Sequence, residues 1–275
     1  MVHNLSGKVE SCRGKSRRLR ELEMCRRWAL LPPMSQFFKE LAYCETPMGA
    51  LTLRRKEILE LDGLEVFEVT LGDEFLMSSL FNDAEIALSK LGLAAVDGDG
   101  LDVVVGGLGL GYTAVAALEE ERVGSLVVID TLQEVIDWHQ QGMVPMGEKL
   151  TGDPRCELVC GDFFAGVSSG DRALDPGQPG KLWDAVLLDV DHTPEALLHE
   201  RHGGFYKADG LAKMAAHIKP GGVFAMWSDG LPLAEFVAAL ESAFTDVQAE
   251  IVAFENPLQQ KISESTVYIA RRAQA

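Results

Sequence analysis

The chain has 275 residues, 47% hydrophobic and 24% charged, with a formal net charge of −17 at pH 7. That length and mixture exclude a disordered or fibrous chain and allow one main domain with a small extension, and the acidity disfavours a nucleic-acid surface. No apolar run reaches the ~20 residues of a membrane span, and no stretch has the order of a secretory signal.

The elements are taken from the N-terminus onward. Residues 1–34 hold eight of the 25 basic residues and three of the 42 acidic ones, which leaves a formal charge of −22 on residues 35–275. Residues 1–33 are therefore expected to be a disordered basic tail, or the product of a mis-called start with Met34 as the natural beginning. A basic nucleic-acid arm is the rival reading, weakened by the interspersed Glu and the lack of interleaved aromatics. The acidic remainder favours a cationic substrate. Residues 34–92 are expected to form a small N-terminal β-hairpin unit and a helix. Strands at 51–53, 58–61 and 65–69 flank the turn signal Asp62-Gly63. Leu76, Leu80, Ala84, Ala87, Leu88 and Leu91 then recur at helical spacing, predicting a helix over 73–92.

Residues 93–275 read as an α/β catalytic domain. Val103-Val104-Val105 is a buried parallel strand, followed by Gly106-Gly107-Leu108-Gly109-Leu110-Gly111 and a helix over 112–120. Gly107, Gly109 and Gly111 alternate, so the main chain can lie against a ligand, and the helix behind them offers unpaired N–H groups. The G-x-G-x-G spacing differs from the dinucleotide pattern and resembles the first motif of S-adenosylmethionine-dependent enzymes. A second strand at 126–129 ends in Asp130, 19 residues after Gly111, placed to accept the hydroxyls of a ribose or to cap the helix at 132–140. A third strand at 156–159 precedes Asp162 and Phe163. This carboxylate is suited to an adenine amino group and this ring to the face of the base, although a plain turn Asp is the alternative. A fourth strand at 183–188 ends in Asp189, and Lys219-Pro220-Gly221-Gly222 turns into a fifth at 223–227. Gly107, Asp130, Asp162 and Asp189 all fall at carboxyl ends of strands, where open α/β sheets bind ligands. Residues 168–180 form a surface loop, 232–244 an amphipathic helix, and strands near 247–254 and 265–271 an antiparallel hairpin. The fold class is thus α/β, a Rossmann-like seven-stranded S-adenosylmethionine methyltransferase fold with a small N-terminal β-hairpin unit.

Residues 50–270 resemble the spermidine synthase (polyamine aminopropyltransferase) family. The marks are LDG at 61–63, DEF at 73–75, the glycine turn at 106–111, IDxxxEVI at 129–136, GDFF at 161–164, WDAVLLD at 183–189 and KPGG at 219–222. The resemblance implies decarboxylated S-adenosylmethionine as aminopropyl donor, a small-molecule amine as acceptor, a homodimer, and Asp189 as the general base that takes a proton from the attacking amine. It also points to Asp191 and His192, which stand in for the family's second acid, as substrate-binding residues, and Tyr206 either joins them in lining the pocket or packs on the sheet. Three departures leave open an acceptor other than putrescine. Leu76-Met77-Ser78-Ser79 follow DEF where the family has an aromatic and then His or Gln; Leu110 stands where the family carries Asp; and the D-S-S-D-P motif reads Asp189-Val190-Asp191-His192-Thr193-Pro194.

Two other readings share the glycine turn: an S-adenosylmethionine-dependent small-molecule methyltransferase, and a degenerate nucleoside-binding protein. His192, His199 and His202 lie in one loop, which reads as a mobile cover over the site rather than a metal centre; no metal is expected. The five cysteines, at 12, 25, 44, 156 and 160, include no CxxC pair and read as buried thiols of a cytoplasmic protein. Neither nucleic acid nor a membrane is an expected partner.

Overall fold

The computed structural model describes residues 37–169 and 174–274; the expected basic tail at 1–33 lies outside them. The smaller of two sheets is an antiparallel meander of β1 (Phe38–Thr46), β2 (Gly49–Ile58), β3 (Leu64–Leu71) and β4 (Glu74–Ser78). After a single 3-10 turn at Leu59–Leu61, Asp62 and Gly63 adopt φ of 55° and 77°. Asp and Gly are among the residues that tolerate this region, so the LDG triplet reverses the chain and sets Ile58 opposite Leu64.

The helix expected over 73–92 is divided. Gly72, at φ 58°, and Asp73 make a tight turn that pairs Leu71 with Glu74, so residues 74–78 become β4. Only α1 (Asp83–Ala94) is helical. Leu76 and Leu80 fit a helical period, but the Gly-Asp turn ahead of them decides the local structure. α1 packs against strands of the large sheet, so it belongs with that sheet rather than with the hairpin unit in which the sequence grouped it.

The larger sheet contains β5 (Leu101–Gly106), β6 (Val123–Asp130), β7 (Cys156–Cys160), β8 (Trp183–Leu188), β9 (Ile218–Asp229), β10 (Thr245–Asn256) and β11 (Lys261–Arg271). Its order is β10-β11-β9-β8-β5-β6-β7. Every pairing is parallel except those of β11, which runs antiparallel to both β9 and β10. This is the expected seven-stranded architecture. Helices α2 (Tyr112–Leu118), α3 (Gln133–Gln140), α4 (Gly147–Gly152), α5 (Phe163–Ser168), α6 (Ala208–Ala215) and α7 (Ala234–Glu241) fill the connections. Val103, Val105, Leu126, Val128 and Leu187 enter one core cluster, while Val104, Val127, Val186 and Leu188 enter another. Burial on both faces accounts for the unbroken apolar runs. The strand order reverses between β5 and β8, which creates the crevice typical of doubly wound sheets.

KPGG does not precede β9 but lies within it. The register passes from Trp183↔Ile218 to Ala185↔Val223, so these residues form a bulge. From it, Lys219 Nζ reaches Asp184 at 2.8 Å and Asp102 at 3.0 Å. Burial alone would raise the Asp102 pKa, but hydrogen bonds from Ser125, Lys219 and Lys181 outweigh it and hold the carboxyl at about 2. A depressed folded-state value stabilises the fold above the unfolded pKa near 3.9, and that stability is lost as pH falls toward 2. Asp102→Asn is therefore expected to cost about 1 kcal/mol at pH 7 after solvent screening. In urea unfolding the deficit should shrink as pH drops from 4 toward 2.

Candidate active site

The carboxyl ends of β5, β6 and β8 open into a pocket with about 980 Å³ of empty space, its mouth included. Gly107 and Gly109 form the floor. Asp130 and Phe163 stand on one side, and Asp189, His192 and Trp227 on the other. The small sheet supplies the roof through Met48, Val69, Leu71, Leu76 and Met77.

Main-chain hydrogen bonds fix the floor. Asp189 N–H donates to the Gly106 carbonyl at 2.8 Å, and Gly107 N–H donates to the Ile129 carbonyl at 2.9 Å. Gly107 has φ 95°, and a Cβ there would overlap the Asp189 carbonyl oxygen, so no other residue fits. The open side of Gly109 faces Met77, whose Sδ accepts the Leu110 N–H at 3.2 Å. Gly111 does not line the pocket. It packs against His139, Leu150 and Met146, so the expected cradle of three glycines narrows to two.

Asp130 fastens the glycine turn instead of capping α3, whose N-cap is Leu132. Its Oδ1 accepts the Leu132 N–H at 2.8 Å and its Oδ2 the Leu108 N–H at 2.9 Å, which clamps the glycine turn to the start of α3. Burial pushes its pKa up, against the pull of these N–H groups. An ionised carboxylate has about four acceptor positions, and with the Gly109 N–H also pulling on this one about one remains. Asp162 is placed differently from its sequence reading. Its Oδ1 caps α5 at Ala165 N–H, 3.0 Å away, and its Oδ2 pairs with Arg201 Nη2 at 3.1 Å, leaving Phe163, Phe164 and Arg201 to line the pocket at this end.

Asp189 accepts the Thr113 hydroxyl at 2.6 Å. Burial pushes its carboxyl up to about 6. Its neighbour on α1 is Glu85, whose Oε2 is buried without a hydrogen-bond partner. Burial, and then the charge of Asp189, raise Glu85 well above the usual carboxylate range. Two such neighbours resist carrying two charges at once.

His192 lines the pocket, pairs through Nε2 with Glu74 Oε1 at 3.2 Å and stands edge-on to Trp227. Asp191 and Tyr206 lie behind the wall instead of on it. Asp191 accepts Tyr206 OH at 2.7 Å and Leu198 N–H at 2.7 Å, and meets His202 Nδ1 at 3.0 Å. The His202 ring stacks on Phe164 at 3.9 Å. The loop expected as a mobile cover is thus tied down at several points. Among the described residues, no group of His, Cys, Asp or Glu converges as a metal site. Glu85 and Thr113 were missed in the sequence. The available signal was an acid at the i−3, i−4 and i−7 position to Leu88, Ser89 and Gly92, the buried side of α1.

No family model matches the chain. A curated relative, polyamine aminopropyltransferase 2 of Pseudomonas aeruginosa, is 28% identical over 158 residues, which is 54% of this chain and 41% of the relative. The chain therefore spans less than half the length of that relative. A spermidine synthase solved in complex with the transition-state analogue AdoDATO superposes with a TM-score of 0.65 at 14% identity, over 86% of this chain and 75% of that one. This chain has the spermidine synthase fold. Spermidine synthase from Thermotoga maritima gives a TM-score of 0.61 at 12% identity, over 86% and 73% of the two chains. The spermidine synthase fold includes both the seven-stranded sheet and the separate four-stranded one.

The raised pair has a stability signature. A folded-state carboxyl pKa above the unfolded value means that the fold favours the proton, so stability is fully present below the unfolded pKa and is lost as pH rises through about 6. Glu85→Gln is expected to raise unfolding stability at pH 7.5 by about 1–2 kcal/mol, with the gain fading below pH 4. The same variant should leave the Asp189 titration midpoint near 6, read by NMR of the carboxyl carbon, because burial and not Glu85 raises it.

Proposed function

We propose that the chain is an aminopropyltransferase that uses decarboxylated S-adenosylmethionine and a small amine. The observation that carries this reading is the position of Asp189: a buried carboxyl at the strand-order reversal, beside the glycine floor and under a roof from the small sheet. The names of the curated relative and the solved neighbours point the same way.

In this reading the adenine lies against Phe163 at the β7 end. The ribose hydroxyls meet Asp130, and the sulfonium sits over Gly107 and Gly109. Asp189 takes a proton from the acceptor ammonium. The freed nitrogen lone pair forms a C–N bond to the methylene next to sulfur, and the C–S bond breaks with its electrons returning to sulfur. The products are a secondary ammonium and neutral methylthioadenosine. Loss of the sulfonium charge is favoured in a pocket whose roof is apolar. As part of the same proposal the chain works as a homodimer in the cytoplasm, where the free thiols of Cys44, Cys156 and Cys160 fit a reducing compartment.

One observation favours methyl transfer: Arg201 lines the pocket and could meet the carboxylate of intact S-adenosylmethionine. Its pairing with Asp162 beyond β7 holds it at the adenine end, with β6 and β5 between it and Asp189, and this supports the decarboxylated donor.

Calorimetry should detect methylthioadenosine binding; no binding would refute the nucleoside reading. Asp189→Asn should keep that binding and lower kcat by about 10²–10⁴-fold. In the parent protein kcat/KM should rise with pH through about 6 as Asp189 ionises.

A further inference from the structure

We infer that the acceptor is a monoamine on an apolar body, aliphatic or aromatic, and not a diamine. The inference rests on the aminopropyl reading above and goes beyond it, because it concerns which amine the pocket holds.

The argument is a count of charges against walls. The carboxylates that line the pocket are Asp130 and Asp189. Asp130 clamps the glycine turn at the β6 end, on the ribose side. Asp189 is then the one lining acid on the acceptor side. The donor carries its own ammonium at the end of its aminopropyl chain. A diamine would therefore bring the amine nitrogens to three, beside a single carboxylate.

Among the described residues, no second acid on this side meets the cavity. Glu85 lies behind Asp189 and is not part of the lining. Glu74 is also outside the lining, and His192 stands between it and the cavity with a 3.2 Å contact. Protonating His192 would add positive charge rather than remove it. The remaining surface is apolar. Leu71 and Val69 are buried in the roof, Leu76 and Met77 continue it along β4, and the Trp227 ring faces them from β9. An ammonium pressed against Leu and Met without a counter-charge is strongly disfavoured, a loss that the face of a single Trp ring offsets only in part, whereas each methylene buried there strengthens binding about fourfold.

Group transfer to such an acceptor balances with one acid. R–NH3⁺ gives its proton to Asp189. R–NH2 displaces the thioether, and the product R–NH2⁺–CH2CH2CH2–NH3⁺ leaves with methylthioadenosine.

The test uses the full chain and two amines of equal length, hexylamine and 1,6-diaminohexane. Methylthioadenosine binding is measured first by calorimetry. Methylthioadenosine release from decarboxylated S-adenosylmethionine is then followed with each amine. We expect kcat/KM for hexylamine to exceed that for the diamine at least about tenfold. We also expect Leu76→Glu, which adds an acid to the roof, to narrow or reverse that ratio. A diamine preferred by, or equal in, the unsubstituted protein overturns the inference and leaves aminopropyl transfer standing. Release with neither amine, despite methylthioadenosine binding, overturns the inference as well. Failure to bind methylthioadenosine overturns the nucleoside reading itself. The parent ratio decides the question even if the Leu76 variant does not fold.

Discussion

Three strand ends meet at Gly106 and Gly107, and the hydrogen bonds made there to Asp189 and Ile129 determine where every group of the pocket can stand. Gly107 has no room for a side chain because the Asp189 carbonyl occupies that space. The floor and Asp189 are therefore parts of one rigid joint. A shift in β5 or β8 would move both together, which keeps the carboxyl in a fixed relation to whatever lies over the turn. The raised pKa of Asp189 is a further result of this placement, since the joint buries its carboxyl, and the charge of Asp189 in turn adds to the rise at Glu85 close behind it on α1.

The acids of the carboxyl edge share a pattern. Each is used first by the protein. Asp130 holds the glycine turn, Asp162 holds α5 and Arg201, and Asp191 holds the loop through His202, Tyr206 and Leu198. Asp189 holds only the Thr113 hydroxyl and so retains the most capacity for a ligand. Strand-end carboxylates of one chemical type thereby serve two different ends, and the number of N–H donors around each decides which.

Much of this was legible in the sequence. The Val-rich strand followed by alternating glycines, the acids after the second and fourth strands, and the LDG reversal all encode their structure locally, through burial, backbone freedom and turn chemistry. What could not be read were relations between distant segments. The division of 73–92 into β4 and α1 depended on a turn residue outweighing a helical period. Asp191 and Tyr206 looked available because they bond to each other, and Asp191 meets His202 and Leu198, only when the loop folds back. Glu85 was hidden for the same reason: an acid on an apolar helix face is ambiguous until the strand end that faces it is known.

The contact between Met77 and the glycine turn has a further consequence. The Leu110 N–H points at a thioether sulfur, with the Met77 side chain laid over Gly109. Any group that came to rest against the turn would have to take this N–H over from the Met77 thioether, a side chain flexible enough to swing away. Access to the glycine turn is therefore governed by the rotamer of one residue of the small sheet, which couples the two sheets at this point.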